Sequence, residues 1–199
     1  MRSIEGMGMS EGIRSFVAFD LDNADVLKKL TDVQSLVTKT GADVKVVEPE
    51  NIHMTLRFLG NITPSMVERI FEEMKKAQFT PFDVKIRGVG AFPDIRYPRV
   101  LWAGIAEGAD QLRGIFKQLE PRLMGLGFAP DPKGFNPHLT IARVRTGRNK
   151  DVLARFLEEN EGYNFGVVRA ECLRLKKSEL TPRGPLYSTL KEFCPQKIS

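Results

Sequence analysis

Apolar and polar residues alternate through Arg14–Leu21 (RSFVAFDL), a period of two that predicts a strand with one face on a core. The period then lengthens. Val26, Leu27, Leu30, Val33 and Val37 share one face of a helix predicted from about Ala24 to Thr40, capped by Asp22 or Asn23 and ended by Gly41. Val44–Val47 reads as a short strand, Pro49 and Asn51 as a turn, and His53–Leu59 as another strand. Thr63-Pro64 opens a second helix, with proline at the first helical position and Met66, Val67, Ile70, Phe71 and Met74 turned inward. Phe82–Val89 closes this half as a strand.

The same order then recurs. Val100–Ile105 is a strand, and a helix runs from about Ala109 to Met124, ended by Gly125 and Gly127. A loop rich in Pro and Gly (PDPKGFNP) leads to the strand His138–Val144, followed by a helix over Asn149–Glu161 and a strand over Tyr163–Val168. His138 follows His53 by 85 residues, and about the same offset carries Phe16 to Leu101, Ala24 to Ala109 and Pro64 to Asn149. The repeat is one of pattern rather than of letters. It predicts an α+β fold of two pseudo-symmetric lobes, each an antiparallel sheet with helices on its outer face and the cleft between them. The expected organisation is a flexible extension (1–13) and one domain (14–199) of two lobes, about 14–92 and 100–193, with strands free to exchange. FPDIRYPR (92–99) is expected to cross between lobes, and Cys172–Lys176 with Tyr187–Phe193 to add a hairpin.

Composition narrows the function class only a little. The formal net charge of +5 and a pI near 9.3 favour polyanionic partners without demanding them. No apolar run approaches the roughly 20 residues of a membrane span, and Met1–Gly12 lacks the apolar stretch of a secretory signal. Cys172 and Cys194 have neither a C-x-x-C spacing nor a nearby histidine, so two reduced thiols in a cytoplasmic protein are expected, with no zinc site.

The chemistry lies in the chain's two histidines, each in the pattern Asn-x-His-x-Thr: Asn51, His53 and Thr55, then Asn136, His138 and Thr140. On a strand, residues two apart share a face, so each His and Thr point together while Met54, Leu56, Leu139 and Ile141 point into a core. Facing lobes would gather two imidazoles and two hydroxyls in one cleft. That set suits in-line hydrolysis of a cyclic phosphodiester, with one imidazole taking the proton of water and the other giving one to the leaving oxygen. The hydroxyls would donate to the non-bridging oxygens. Two structural histidines at a lobe interface are the plainer alternative. A metal site would need carboxylate ligands that neither strand offers on that face.

These motifs, with RSFVAFDL, ENIHMTLRFLG, FPDIRYPRVLWAGI, FNPHLTIAR and LKKSELTPRGPLYSTL, resemble the two-histidine (2H) phosphoesterases from about Arg14 to Phe193. The resemblance is closest to the bacterial and archaeal RNA 2′,3′-cyclic phosphodiesterases, also called 2′–5′ RNA ligases. It implies a metal-independent, cofactor-free hydrolase acting on RNA with 2′,3′-cyclic phosphate ends, tRNA fragments among them, and yielding a 2′-phosphomonoester. It further implies His53 as proton donor, His138 as proton acceptor, and Thr55 and Thr140 as phosphate holders. The family carries an arginine at the place of Arg143, whereas strand alternation puts Arg57 on the catalytic face and Arg143 on the opposite one. Arg57 is therefore the expected phosphate contact. Tyr187, Phe92 and Trp102 could stack on bases, with core packing the alternative for the last two. Reversible 2′–5′ joining and a non-catalytic RNA-binding module stay open as other readings, and a monomer is expected.

Overall fold

The computed structural model describes residues 12–132, 134–182 and 184–195. Of the expected N-terminal extension, residues 1–11 lie outside the described residues, and Ile13 already begins a strand. The order is β1 (Ile13–Asp20), α1 (Ala24–Lys39), β2 (Val44–Val46), a single 3-10 turn (Pro49–Asn51), β3 (His53–Ile62), α2 (Pro64–Met74) and β4 (Phe82–Phe92). It continues with β5 (Val100–Glu107), α3 (Ala109–Gly125), β6 (His138–Val144), α4 (Lys150–Glu159), β7 (Asn164–Ala170), β8 (Leu173–Thr181) and β9 (Gly184–Phe193). Each element follows its sequence signal. At α1 the Asn23 side chain accepts from the Val26 N–H, as an N-cap should, and Val26, Leu30, Val33 and Val37 form the buried stripe.

The strands form two antiparallel sheets, β3-β1-β8-β9 and β2-β6-β5-β4-β7. Strands are traded between the halves: β2 and β4, from the first half, lie in the second sheet, and the C-terminal β8 and β9 complete the first. The helices are traded as well. α1 follows β1 but packs on β7, β2 and β6, whereas α3 follows β5 and reaches across to β3. One hydrophobic core results, containing Leu30, Met54, Ile70, Leu101, Leu112 and Leu139, none more than 1% exposed. Each such side chain contributes about 1.5–3 kcal/mol by its removal from water.

Two expectations need correcting. The segment 93–99 is not a crossing between lobes. It is the turn of a hairpin, because β4 and β5 are adjacent antiparallel strands with Phe92 opposite Val100, and the Phe92–Pro93 bond within it is cis. Nor are the cysteines free thiols: Cys172 and Cys194 form a disulfide. β8 and β9 pair so that Leu173 faces Phe193, which brings the two residues just outside that pair together. A spacing of 22 residues along the chain conceals an adjacency that only the hairpin creates.

Candidate active site

β3 and β6 stand at facing positions of the two sheets and carry the two histidines. Each ring is fixed the same way. Nδ1 of His53 lies 2.7 Å from the Asn51 carbonyl oxygen, and Nδ1 of His138 lies 2.7 Å from that of Asn136. A carbonyl only accepts, so Nδ1 donates in both rings and Nε2 is left to exchange a proton with a substrate. The asparagines of the sequence motif thus act through their backbones. The Asn51 amide instead donates to the Pro185 carbonyl and ties the start of β3 to β9. Thr55 and Thr140 are partly buried, two residues on from each histidine.

The two arginines exchange the places that strand alternation predicts, and the cause is a pair of β-bulges. On β3, Ala18 pairs with Thr55 but Val17 with Arg57, so Leu56 is an extra residue. On β6, Trp102 pairs with Thr140 but Leu101 with Ala142, so Ile141 is extra. An extra residue reverses which face the following side chains take. Arg57 is therefore turned away from the cleft and buried. Its guanidinium donates to Glu120 of α3 at 2.7 Å, to the Phe58 carbonyl at 2.8 Å and to the Ala129 carbonyl, and it lies 3.9 Å from Asp131. Arg143 is turned toward the cleft instead. It is exposed, and its charge acts both on His138 and on Tyr187 of the other sheet. Each bulge is braced by a polar side chain from the helix contributed by the other half. Glu120 holds Arg57, and Gln34 of α1 donates to the carbonyls of Val47 and of the bulged Ile141 at 2.7 and 2.8 Å.

The histidines share a tether but differ in surroundings. The His53 ring stacks on Phe16 (centroids 4.7 Å apart) and meets Tyr187 edge-on at 5.1 Å. Burial lowers its pKa to about 4; the Nδ1 hydrogen bond opposes that, Lys176 and His138 lower it further, and Asp20 raises it. Lys176, which is buried, and the half-buried Asp20 form an ion pair at 2.6 Å beside His53, and Asp20 is the cross-strand partner of His53 itself. Neither residue was expected at the site, since no local pattern joins groups 156 residues apart. His138 meets Phe92 edge-on at 5.0 Å, and its pKa is lowered by burial and by Arg143 against its Nδ1 hydrogen bond. Burial raises the pKa of Tyr187, opposed by Arg143 and Arg14.

Phe92 thus belongs to the wall around His138, and Trp102 lies behind it at 5.6 Å. The indole fits because Gly90 has no Cβ; one placed there would come within 2.3 Å of the ring. Among the described residues, the one group of three or more metal-ligating side chains is Cys172, Glu192 and Cys194, whose sulfurs are already joined to each other. No helix among the described residues is long and apolar enough to cross a membrane.

Comparison with known proteins adds to this geometry. The family model for LigT-like phosphoesterases matches the chain twice, over residues 21–102 and 104–187. The chain is 39% identical over 164 residues to the RNA 2′,3′-cyclic phosphodiesterase of Aeropyrum pernix, covering 82% of this chain and 93% of that one. It is 36% identical over 183 residues to the protein of the same name from Methanothermobacter thermautotrophicus, covering 91% and 98%. Among solved structures, TT0787 of Thermus thermophilus superposes with a TM-score of 0.74 at 28% identity, over 92% of this chain and 97% of that one.

Proposed function

Because the chain belongs to the LigT-like phosphoesterase family, we propose that it opens the terminal 2′,3′-cyclic phosphate of RNA to a 2′-phosphomonoester, with His53 and His138 as acid and base and no metal ion. The observation that carries this reading is the matched pair of tethered imidazoles. Both present Nε2 from facing strands, and each has a threonine hydroxyl two residues on. The names of the relatives from Aeropyrum pernix and Methanothermobacter thermautotrophicus support the substrate class.

In the proposed reaction His138 Nε2 takes a proton from water as the water oxygen bonds to phosphorus. The bond from phosphorus to the ribose O3′ breaks in line, and His53 Nε2–H protonates that oxygen as it leaves. The products are a 2′-phosphate and a free 3′-hydroxyl, with the proton returned to His53 through solvent. Thr55 and Thr140 donate to the non-bridging oxygens, and Arg143 offsets charge there, in place of Arg57, which is buried against Glu120. With an RNA 5′-hydroxyl in place of water as the nucleophile, and O3′ leaving as before, the same two groups would form a 2′–5′ bond.

The test is turnover of an oligonucleotide ending in a 2′,3′-cyclic phosphate, with EDTA present. His53→Ala and His138→Ala should each lose at least about 100-fold in rate. Turnover unchanged in either variant removes the two-histidine assignment, and loss of turnover in EDTA removes the metal-free mechanism. Sealing of 5′-hydroxyl ends with the same RNA measures the ligase direction.

A further inference from the structure

On the His138 side the sheet carries a second hollow beyond the catalytic ring. Phe92 meets His138, and Trp102 lies 5.6 Å from Phe92. Trp102 is opposite Thr140 on β6 and opposite Gly90 on β4, and paired residues share a face, so its ring lies on the same side of the sheet as the motif. β7 accompanies β4 only as far as Asn164 opposite Arg87. From Gly88 onward the turn between α4 and β7 takes its place, so close that a Cβ on Gly88 would come within 2.3 Å of the Glu161 carbonyl oxygen. Between that turn, the β4–β5 hairpin and the Trp102 ring is a cavity of about 520 Å³, within the range of small-molecule sites. Three of its polar groups are idle. Trp102 Nε1–H is the one buried side-chain donor or acceptor without a partner among the described residues. The Glu158 and Glu161 carboxylates on the rim make no hydrogen bond or ion pair among those residues. Asp94, also on the rim, accepts from the N–H groups of Arg96 and Tyr97, and Arg87, the one cation there, donates to the Gly162 carbonyl.

In the proposed reaction the nucleoside of the cyclic phosphate hangs from the leaving oxygen at His53, whereas His138 faces whatever attacks. Water needs no cavity beyond its proton acceptor. We propose that the hollow holds, against Trp102, the base of a nucleoside whose 5′-hydroxyl attacks in water's place, and so is a subsite for the acceptor end of RNA. The lining selects the ligand. Carboxylates repel a phosphate but accept from ring or amino N–H groups, and an indole N–H donates to a ring nitrogen or carbonyl oxygen. A base bearing an amino group therefore fits better than uracil, which presents a carbonyl oxygen where cytosine has its amine. The step balances. The 5′-oxygen bonds to phosphorus as His138 Nε2 takes its proton, and the P–O3′ bond breaks as His53 Nε2–H protonates O3′, leaving a 2′–5′ phosphodiester. This rests on the cyclic phosphodiesterase reading and gives its joining direction a place to bind the second strand.

In the experiment adenosine 2′,3′-cyclic monophosphate is turned over with cytidine, uridine or base-free methyl riboside as acceptor. The 2′–5′ joined product is measured against the 2′-monophosphate made by water. Both products arise from the same bound cyclic phosphate, so a general loss of activity cancels in their ratio. At equal concentration cytidine should exceed the riboside by about 5- to 150-fold, the range one base–aromatic stack is worth, with uridine between them. Trp102→Phe, which keeps a ring but removes the donor, should lower the cytidine ratio by about 2- to 12-fold. Glu158→Gln together with Glu161→Gln should bring cytidine and uridine level. Equal ratios for cytidine and the riboside in the unaltered protein, or a cytidine ratio that neither change moves, overturn the subsite. Failure of the unaltered protein to open the cyclic phosphate at all, with no acceptor present, removes the phosphodiesterase reading and the subsite with it, a result distinguishable from the first.

Discussion

An acid whose pKa is about 4 is a poor proton donor at neutral pH, and His53, the proposed acid, is one in the free protein. Only about one free molecule in a thousand carries that proton at pH 7. The substrate supplies what is missing. A cyclic phosphate has one negative charge, and at about 4 Å from the imidazole with an effective dielectric near 20 it favours the protonated ring by about 4 kcal/mol. At about 1.4 kcal/mol for each tenfold change, that raises the pKa by about 3, to near neutrality. Substrate binding should therefore charge the acid. The chain has two histidines, so an imidazole NMR titration is simple, with His138→Asn assigning the resonances. In the free protein His53 should titrate near pH 4, and with the 2′-phosphate product bound, which carries more charge than the cyclic ester, it should titrate at or above about pH 7. The rate profiles follow in sign: kcat, which reports the complex, should hold up to about pH 7 before falling as His53 loses its proton. kcat/KM, which reports the free protein, should already decline from the acidic side. A free His53 pKa at or above about 6.5, or one unmoved by the bound phosphate, would refute the reasoning.

Three further outcomes are expected. Arg57→Met removes the guanidinium that Glu120 and two backbone carbonyls share, and breaking such a buried pair costs about 3–5 kcal/mol. For a chain of this size Tm should fall by about 6–20 °C in calorimetry, whereas a mere phosphate contact at Arg57 would change KM and leave Tm in place. Arg143→Ala should lower kcat/KM by about 10- to 100-fold and raise the His138 pKa, moving the acidic limb of the rate profile to higher pH; a profile that does not move would separate Arg143 from His138. Replacing Cys172 and Cys194 together by serine opens a loop of about 22 residues and should lower unfolding stability by about 3 kcal/mol in urea titrations, with equal midpoints for both forms the contrary result.

Much of the fold was legible in the sequence because hydrophobic period reports local structure directly. β6 runs over His138–Val144 as expected, and α1 begins at Ala24. The histidines were legible because they are repeated at equal spacing. What misled was the assumption that alternation persists along a strand. The single extra residues Leu56 and Ile141 are ordinary apolar letters, and nothing local marks them as bulges. They are fixed by Gln34 and Glu120 from distant helices, so the exchange of Arg57 and Arg143 could not be read from β3 or β6 alone. The same holds for Asp20 with Lys176 and for the disulfide, which are products of pairing between segments far apart in the chain.

The trading of strands between halves has a consequence for the order in which the molecule can come into being. On a ribosome β1 and β3 emerge close together, yet β1 has no neighbour on its other edge until β8, far along the chain, arrives. α1, likewise, must wait for β6 and β7 before its apolar stripe finds a sheet. The nascent first half therefore carries a bare strand edge and uncovered apolar surface, both of which invite association with other chains. Folding is deferred until β8 is available, and its long-range pairings slow it. Truncation before β8, even beyond both histidines, removes the inner neighbour of β1 and leaves no half that can stand in for the whole.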